Sequence, residues 1–257
     1  MASYLVVQIS DVHLTVDGVL APGVRPRDNL VDALRYLEKS RSRPDILVLS
    51  GDLANTGDPA CYDDLRALLA EVPGGAEIVC VPGNHDDRAA FRRHLLGDGD
   101  GDAPVNVTRW RAGLRVVALD SSVPGEDFGV LDPETLSYLA AELATPAQHG
   151  TVVVLHHPPL SSPIEPMAAI ALRNAADLRD VLAGSDVRFV LAGHNHHPSA
   201  GALGGVPVWV SPATAYRADV SSTAVFRAVP GSAISRIDLT DHGDAATVVP
   251  IGPADGP

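Results

Sequence analysis

Polar side chains that can bind metal ions follow several strand-like apolar runs of this sequence. Carboxylate, imidazole and amide groups suit borderline divalent ions such as Mn, Fe, Co or Zn. The number of these groups favours two ions over one. The residues concerned are Asp11, His13, Asp52, Asn84, His85, Asp86, His156, His157, His194, Asn195 and His196.

The positions of these residues at the ends of predicted strands indicate that they meet. In an α/β sheet the carboxyl ends of the strands face one crevice, so residues far apart in sequence converge there. Gly51, Gly83 and Gly193 lack a Cβ, which lets the backbone come close to an ion. A single His after a strand is more often a hydrogen-bonded core residue, so only the conjunction of the motifs predicts a site.

Short Val-, Ile- and Leu-rich runs alternate with amphipathic helical patterns over most of the chain, which predicts the α/β class. After Val206 the helical patterns stop, which indicates terminal antiparallel strands and a second sheet. The predicted strands are Tyr4–Ser10, Ile46–Gly51, Glu77–Gly83, Leu114–Asp120, Thr151–His157, Val187–Gly193, Val206–Ser211, Thr223–Val229 and Ile234–Leu239. The predicted helices are Asp28–Arg41, Asp63–Val72, Pro133–Ala144 and Ala176–Ala183.

The ordered motifs resemble the calcineurin-like metallophosphoesterases over residues 11–196. The matching residues are Asp11-x-His13, Gly51-Asp52, Gly83-Asn84-His85-Asp86, His156 and Gly193-His194-x-His196. The resemblance implies a four-layer α/β/β/α sandwich, in which helices flank two mixed β-sheets, with a binuclear metal centre at the sheet edge. We expect one such domain over residues 1–251 and a disordered tail over residues 252–257.

The resemblance also implies which residues bind the metal ions. Asp52 would bridge the two ions, and a carboxylate suits this position because two adjacent dications need a shared anion. The order of His156 and His157 follows only from the family pattern. One ion would be held by Asp11, His13 and His196, and the other by Asn84, His156 and His194.

Within the family the chain looks most like the class III cyclic-nucleotide phosphodiesterases, by Gly51-Asp52-Leu53-Ala54, Asn84–Arg88 and His156-His157-Pro158-Pro159. Protein Ser/Thr phosphatases carry a phosphate-clamping Arg after the bridging Asp, and purple acid phosphatases carry a Tyr ligand there. Neither residue is present in Leu53–Gly57.

The resemblance gives His85 a catalytic role without metal binding, as a group that stabilises the transition state or protonates the departing oxygen. An imidazole can donate a proton near neutral pH, where a carboxylate cannot. Asp86 would orient or polarise His85, or would be an N-terminal acid of a helix over Asp87–Leu96. His157 and His197 could orient the ligands by hydrogen bonds, and these roles stay open.

The segment Leu160–Asn174 mixes apolar and polar residues after His156. It could be a lid, a loop that contacts a base, or a packing loop. Arg173 within it could pair with a phosphate or with a helix acid.

Composition limits the partners and the location. The chain has 257 residues, 19 Lys and Arg, 32 Asp and Glu, and a net charge of −13, which disfavours nucleic acid as a partner. No apolar run approaches the roughly 20 residues that a membrane span needs. The N-terminus lacks a basic leader, and Cys61 and Cys80 form no metal or disulfide pattern, so we expect a cytoplasmic protein.

We therefore predict a phosphodiesterase that hydrolyses small soluble diesters, with cAMP-like 3′,5′-cyclic nucleotides as substrates and two divalent or mixed-valence ions (Mn, Fe, Zn or Co) as cofactors. Two ions ~3.5–4 Å apart can share a water, lower its pKa and support in-line attack by a bridging hydroxide. The alternatives are a broad-specificity phosphomonoesterase, a glycerophosphodiesterase-type enzyme, a nuclease, or a non-catalytic scaffold on the same fold; loss of ligands would mark a scaffold, and here every ligand position is filled. The closest class also implies a homodimer.

Overall fold

The computed structural model describes residues 3–21, 23–40, 43–72, 74–99 and 101–252. Strands and helices alternate up to β7, and strands alone follow it. The strands are β1 (Ser3–Ile9), β2 (Ile46–Ser50), β3 (Glu77–Val81), β4 (Val107–Arg111), β5 (Leu114–Ala118), β6 (Thr151–Val154), β7 (Val187–Ala192), β8 (Ser199–Leu203), β9 (Val206–Val210), β10 (Arg217–Ala218), β11 (Ala228–Val229), β12 (Ser232–Thr240) and β13 (Gly243–Ile251). The helices are α1 (Pro26–Lys39), α2 (Pro59–Ala70), α3 (Arg88–Ala90, continued by a π-helical turn over Phe91–Leu96), α4 (Pro133–Leu143), α5 (Glu165–Ala169) and α6 (Ala175–Leu182).

The strands form two mixed sheets and a short ribbon. The first sheet has the order β13-β12-β1-β2-β3, with β1, β2 and β3 parallel. The second has the order β4-β5-β6-β7-β9-β8, with β5, β6, β7 and β9 parallel. The ribbon pairs β10 with β11.

Alternating side chains of the sheets build three apolar layers. In β1, Leu5, Val7 and Ile9 pack towards α1 and α2, whereas Tyr4 and Val6 pack between the two sheets. A third cluster packs the second sheet against α4 and α6. Because both faces of the central strands are buried, these strands are apolar throughout. The fold is the predicted four-layer α/β/β/α sandwich.

The central strands and the edge strand β3 were predicted correctly, whereas the other edge strands of the two large sheets were missed. Strands β4, β8 and β13 were not predicted, because edge strands are partly exposed and carry a mixed pattern. The predicted strand Thr223–Val229 is wrong apart from Ala228–Val229, since the loop before β11 exposes Val225.

Two predicted helices begin too late in the sequence. Helix α1 begins at Pro26 and α2 at Pro59, because proline suits the first turn of a helix. Asp58 caps α2 by accepting a hydrogen bond from the Ala60 backbone N–H at 2.9 Å. The predicted end of the first helix at Arg41 lies outside the described residues.

Within the described ranges, no helix combines the length and apolarity that a bilayer crossing requires. Of the predicted tail, only Gly252 lies within the described residues.

Candidate metal centre

Five neighbouring strand ends bring the candidate residues together. In the first sheet, β1 leads into Asp11 and His13, β2 leads into Asp52, and β3 leads into Asn84. β6 and β7 of the second sheet lead into the histidine pairs after Val154 and Ala192. The two sheets therefore contribute to one site at their carboxyl ends.

The backbone at these strand ends is left-handed. Among the described non-glycine residues, positive φ occurs outside the site only at Ala112. Such a conformation is uncommon for residues with a Cβ and costs energy that the surrounding structure must offset. The site residues with positive φ are Asp11 (52°), His13 (52°), Asp52 (52°), His194 (70°) and His196 (54°).

One buried cluster contains Asp11, His13, Asp52 and His196, whose ligand atoms lie within 4.8 Å of one another. The Nε2 atoms of His13 and His196 are 3.1 Å apart, and the His196 Nε2 is 3.4 Å from Asp11 Oδ1. The Nδ1 of each ring forms a hydrogen bond with an oxygen. The partner of His13 is Asn55 Oδ1 at 3.2 Å, and the partner of His196 is the Tyr216 carbonyl at 3.1 Å. These partners assign the proton to Nδ1 and leave Nε2 as a metal-binding lone pair.

A second buried cluster contains His156, His157 and His194. His156 donates from Nδ1 to the Ser50 carbonyl at 2.8 Å, and its Nε2 lies 3.3 Å from the Nδ1 of His194. His157 differs, because Ser121 Oγ contacts its Nδ1 at 2.9 Å and the Asp127 carbonyl contacts its Nε2 at 3.2 Å. Both ring nitrogens of His157 are therefore occupied by hydrogen bonds.

Asp52 lies between the two clusters. Its Oδ2 is 3.6 Å from the His13 Nε2 and 3.3 Å from the His156 Nε2. Its Oδ1 accepts a hydrogen bond from the His85 backbone N–H at 3.0 Å. The carboxylate of Asp11 also joins the sheets, because it accepts from the His194 backbone N–H at 3.1 Å.

The donor set fits two divalent ions. Imidazole lone pairs that face one another at 3.1 Å repel unless a proton or cation lies between them. In addition, the Nε2 of His194 and the Oδ1 of Asn84 are buried without a hydrogen-bond partner. Buried polar atoms normally have a partner, and metal coordination would satisfy both atoms.

Glycines make room for the ligands themselves. A Cβ on Gly83 would overlap Asp52 Oδ1 and lie 2.8 Å from the His156 Nε2. A Cβ on Gly51 would overlap the His156 ring, and one on Gly193 would overlap the Ser10 hydroxyl. These glycines therefore leave space for side chains of the site.

Burial and mutual charge shift the acid–base behaviour of the centre. Burial lowers the pKa of His13 and of His157 to about 3, and it lowers that of His194 well below the ordinary value. Burial opposes charge on Asp52 and His156 as well, but their contact dominates. It raises the pKa of His156 to about 9 and lowers that of Asp52 well below its usual range.

His85 lies at the exposed side of the centre. Its ring centroid is 4.7 Å from that of His13, and its Nδ1 donates to the Asn55 carbonyl at 2.8 Å. Asn55 therefore holds His13 with its side chain and His85 with its backbone. Asn55 is not among the residues predicted for the site, although its position three residues after Asp52 is a usable signal.

Asp86 does not contact the His85 ring, contrary to the predicted orienting role. Its carboxylate accepts hydrogen bonds from the backbone N–H groups of Leu53, Ala54 and Gly83 and from the Tyr62 hydroxyl. The neighbouring Asp87 caps the following helix instead. Asp86 thus fixes the loops that carry Asp52 and Asn84, and burial raises its pKa to about 6.

Two further residues left open by the sequence lie beside the centre. His197 contacts the Ser162 hydroxyl at 2.9 Å and the Ser199 hydroxyl at 3.1 Å. The Arg173 guanidinium lies over the Phe128 ring, 3.1 Å from its centroid.

A cavity of about 310 Å³ opens onto the centre, a size in the range of small-molecule sites. It is lined by Asp52, Asn84, His85, Asp127, Met167, Ile170, His194, His196, Tyr216 and Phe226.

Comparisons with known proteins agree with this fold and site. Residues 4–198 match the calcineurin-like phosphoesterase family. The chain is 43% identical over 224 residues to a cAMP/cGMP dual specificity phosphodiesterase of Mycobacterium tuberculosis, covering 86% of this chain and 70% of that one. It is 32% identical over 215 residues to a 3′,5′-cyclic adenosine monophosphate phosphodiesterase of Pseudomonas aeruginosa, covering 83% and 77%.

A solved structure confirms the architecture. The dimetal phosphatase of Danio rerio superposes with a TM-score of 0.63 at 16% identity, covering 97% of this chain and 99% of that one. The match over residues 4–198 spans more than half of the sequence and includes every predicted metal ligand. The chain therefore belongs to the calcineurin-like phosphoesterase family.

Proposed function

We propose that the chain is a metal-dependent phosphodiesterase of small phosphodiesters, with 3′,5′-cyclic nucleotides such as cAMP as its substrates. The observation that carries this proposal is the position of Asp52 Oδ2, within 3.6 Å of the His13 Nε2 and 3.3 Å of the His156 Nε2. The two cyclic-nucleotide phosphodiesterases to which the chain is similar support the choice of substrate.

We assign Asp11, His13 and His196 to one ion, Asn84, His156 and His194 to the other, and Asp52 to both. His156 is favoured over His157 because its Nε2 faces Asp52 and His194 inside the centre, whereas both nitrogens of His157 bond to Ser121 and Asp127. When bound, the two ions would lower the pKa of a water towards neutrality and neutralise charge on the phosphate. Mn, Fe, Zn and Co all suit this donor set.

His85 would serve as the proton donor to the departing oxygen. Its Nδ1–H stays on the Asn55 carbonyl, so a proton on Nε2 is the one that can move. The carboxylate of Asp52 holds the loop of His85 through the backbone N–H, which couples the position of the acid to the metal centre. Asp86 contributes by positioning these loops.

Metal content and turnover test the proposal together. The purified protein is analysed for metals, and hydrolysis of bis(p-nitrophenyl) phosphate, cAMP and p-nitrophenyl phosphate is measured with added Mn²⁺. About two metals per chain and Mn²⁺-dependent diester cleavage are expected. Faster monoester cleavage would favour a phosphomonoesterase, and absence of metal and turnover would favour a scaffold.

The homodimer and the cytoplasmic location stay predictions. Sedimentation equilibrium of the metal-loaded protein tests the first, and fractionation of cells that make the protein tests the second.

A further inference from the structure

One wall of the cavity beside the metal centre is apolar and aromatic. Met167, Ile170, Tyr216 and Phe226 line the cavity beside the candidate ligands, and Tyr216 stacks on His196. The metal ions and His85 account for a phosphate and its leaving oxygen. The apolar wall is therefore available to contact another part of the substrate.

The wall is built by two segments, helix α5 with the residue that follows it and the residues that flank the β10–β11 ribbon. The Glu165 backbone N–H donates to the Thr223 carbonyl at 2.8 Å, which joins the segments. The Ala218 backbone N–H donates to the His196 carbonyl at 2.8 Å, which ties the ribbon to the metal centre. Their apolar side chains pack in one cluster. The wall is thus held in a fixed position relative to the phosphate site.

The rings of the wall form a corner. Tyr216 stacks on His196 with centroids 4.3 Å apart and planes 28° apart. Phe226 stands at 79° to Tyr216 and at 88° to His196. A flat ring placed in this corner can stack on one aromatic face and meet the other edge-on, and aromatic pairs prefer these two arrangements.

We propose that this corner binds the nucleobase of the substrate, and that Phe226 is the residue that distinguishes nucleotides from phosphodiesters without a base. This inference rests on the proposed function. An aliphatic alcohol would gain only apolar contact there, whereas a base also gains stacking on a preformed surface.

Competitive inhibition of bis(p-nitrophenyl) phosphate hydrolysis by AMP and by ribose 5-phosphate tests this directly, because the two inhibitors differ only in the base. In the unmodified Mn²⁺-loaded protein AMP should bind roughly tenfold more tightly, within the range for base stacking. Phe226→Leu keeps the apolar volume but removes the ring, so the ratio of the two inhibition constants should fall below about threefold. The KM for cAMP should rise by a similar factor while kcat stays within about twofold.

Phe226→Tyr keeps the ring and should keep the ratio. Val225→Ala is the matched control, since Val225 is the neighbouring residue, is 53% exposed and does not line the cavity. If Phe226→Leu lowers the melting temperature, Phe226→Met supplies the same test, because it also removes the ring and its flexible side chain fills the space more easily. An unchanged inhibitor ratio in Phe226→Leu, or equal binding of AMP and ribose 5-phosphate by the unmodified protein, would overturn the inference alone. Absence of Mn²⁺-dependent diester cleavage in the unmodified protein would overturn the proposed function as well.

Discussion

Asp52 is the residue on which the two halves of the centre depend. Its Oδ2 faces histidines of both clusters, and its Oδ1 holds the loop that carries His85. An amide of the same shape retains one acceptor oxygen but loses the negative charge that two dications must share.

We predict that Asp52→Asn lowers the metal content from about two ions per chain to one or fewer and lowers kcat by roughly 10²-fold or more. Elemental analysis and diester hydrolysis measure the two effects. Asp32→Asn is a control, because Asp32 pairs with Arg35 on the surface of α1. Full metal content in Asp52→Asn would contradict the bridging role.

His85 should behave differently from the ligands. Its assigned task is proton donation, and no contact in the structure makes it a metal ligand. We therefore predict that His85→Ala retains both ions and lowers kcat by roughly 10²-fold or more. The comparison of metal content with rate separates the two roles, and an unchanged rate would exclude His85 as the acid.

Strand ends are the elements that position the site, and they were predictable from the sequence. The central strands are apolar runs that end abruptly in polar residues. The sequence alone therefore predicts that Asp11, Asp52 and His194 lie together at the carboxyl ends of the strands. The hydrogen bonds that hold the ligand-bearing loops could not be predicted, because they depend on which loops come into contact in the folded chain. Asp86 shows this, since its partners are backbone N–H groups of two different loops.

Edge elements were the least predictable part of the fold. The ribbon strands Arg217–Ala218 and Ala228–Val229 contain two residues each, which is too short for a periodic pattern. Helix α5 is similarly short. Tertiary contacts decide these conformations, so the sequence offered Leu160–Asn174 as a possible lid or base-contacting loop but did not indicate that Tyr216 and Phe226 complete the wall.

Gly83, which follows β3, allows a direct test of how closely its backbone approaches the side chains of Asp52 and His156. We predict that Gly83→Ala loses metal and is destabilised by roughly 1–3 kcal/mol, because the new methyl group overlaps Asp52 and crowds His156. Gly101→Ala is the control, since a Cβ there meets nothing within 4 Å. Metal titration and thermal unfolding report the two effects, and wild-type values for Gly83→Ala would show that the loop can relax.

At the scale of the whole molecule, the buried histidines link stability to pH. The folded-state pKa values of His13 and His157 are lowered to about 3, and that of His194 is lowered too. In the unfolded chain these rings take up protons below about pH 6.5. Their contribution to stability is therefore present above this pH and is lost as the pH falls towards the folded-state values. His156, whose pKa is raised to about 9, acts in the opposite direction and stabilises most below about pH 6.5.

The three histidines outweigh His156 and Asp86, whose raised pKa values act in the opposite direction, so we predict that the free energy of unfolding of the metal-free protein falls by roughly 1–3 kcal/mol between about pH 7 and about pH 5.5. Urea unfolding in the presence of a chelator measures this. His242→Gln is a control, since His242 lies in an exposed turn. Stability that is constant or rises over this range would contradict neutral burial of the three rings.

The left-handed backbone of five site residues restricts the evolution of this centre. Asp and His belong to the few residue types that tolerate positive φ with a Cβ, and they are also good ligands for divalent ions. Glu and Cys could coordinate the same ions but are less suited to this backbone. A library randomised at the five positions and selected for folded protein alone should therefore be enriched in Asp, Asn, His and Gly. Backbone geometry therefore limits the residue types that can occupy these five positions, and metal coordination selects among those types.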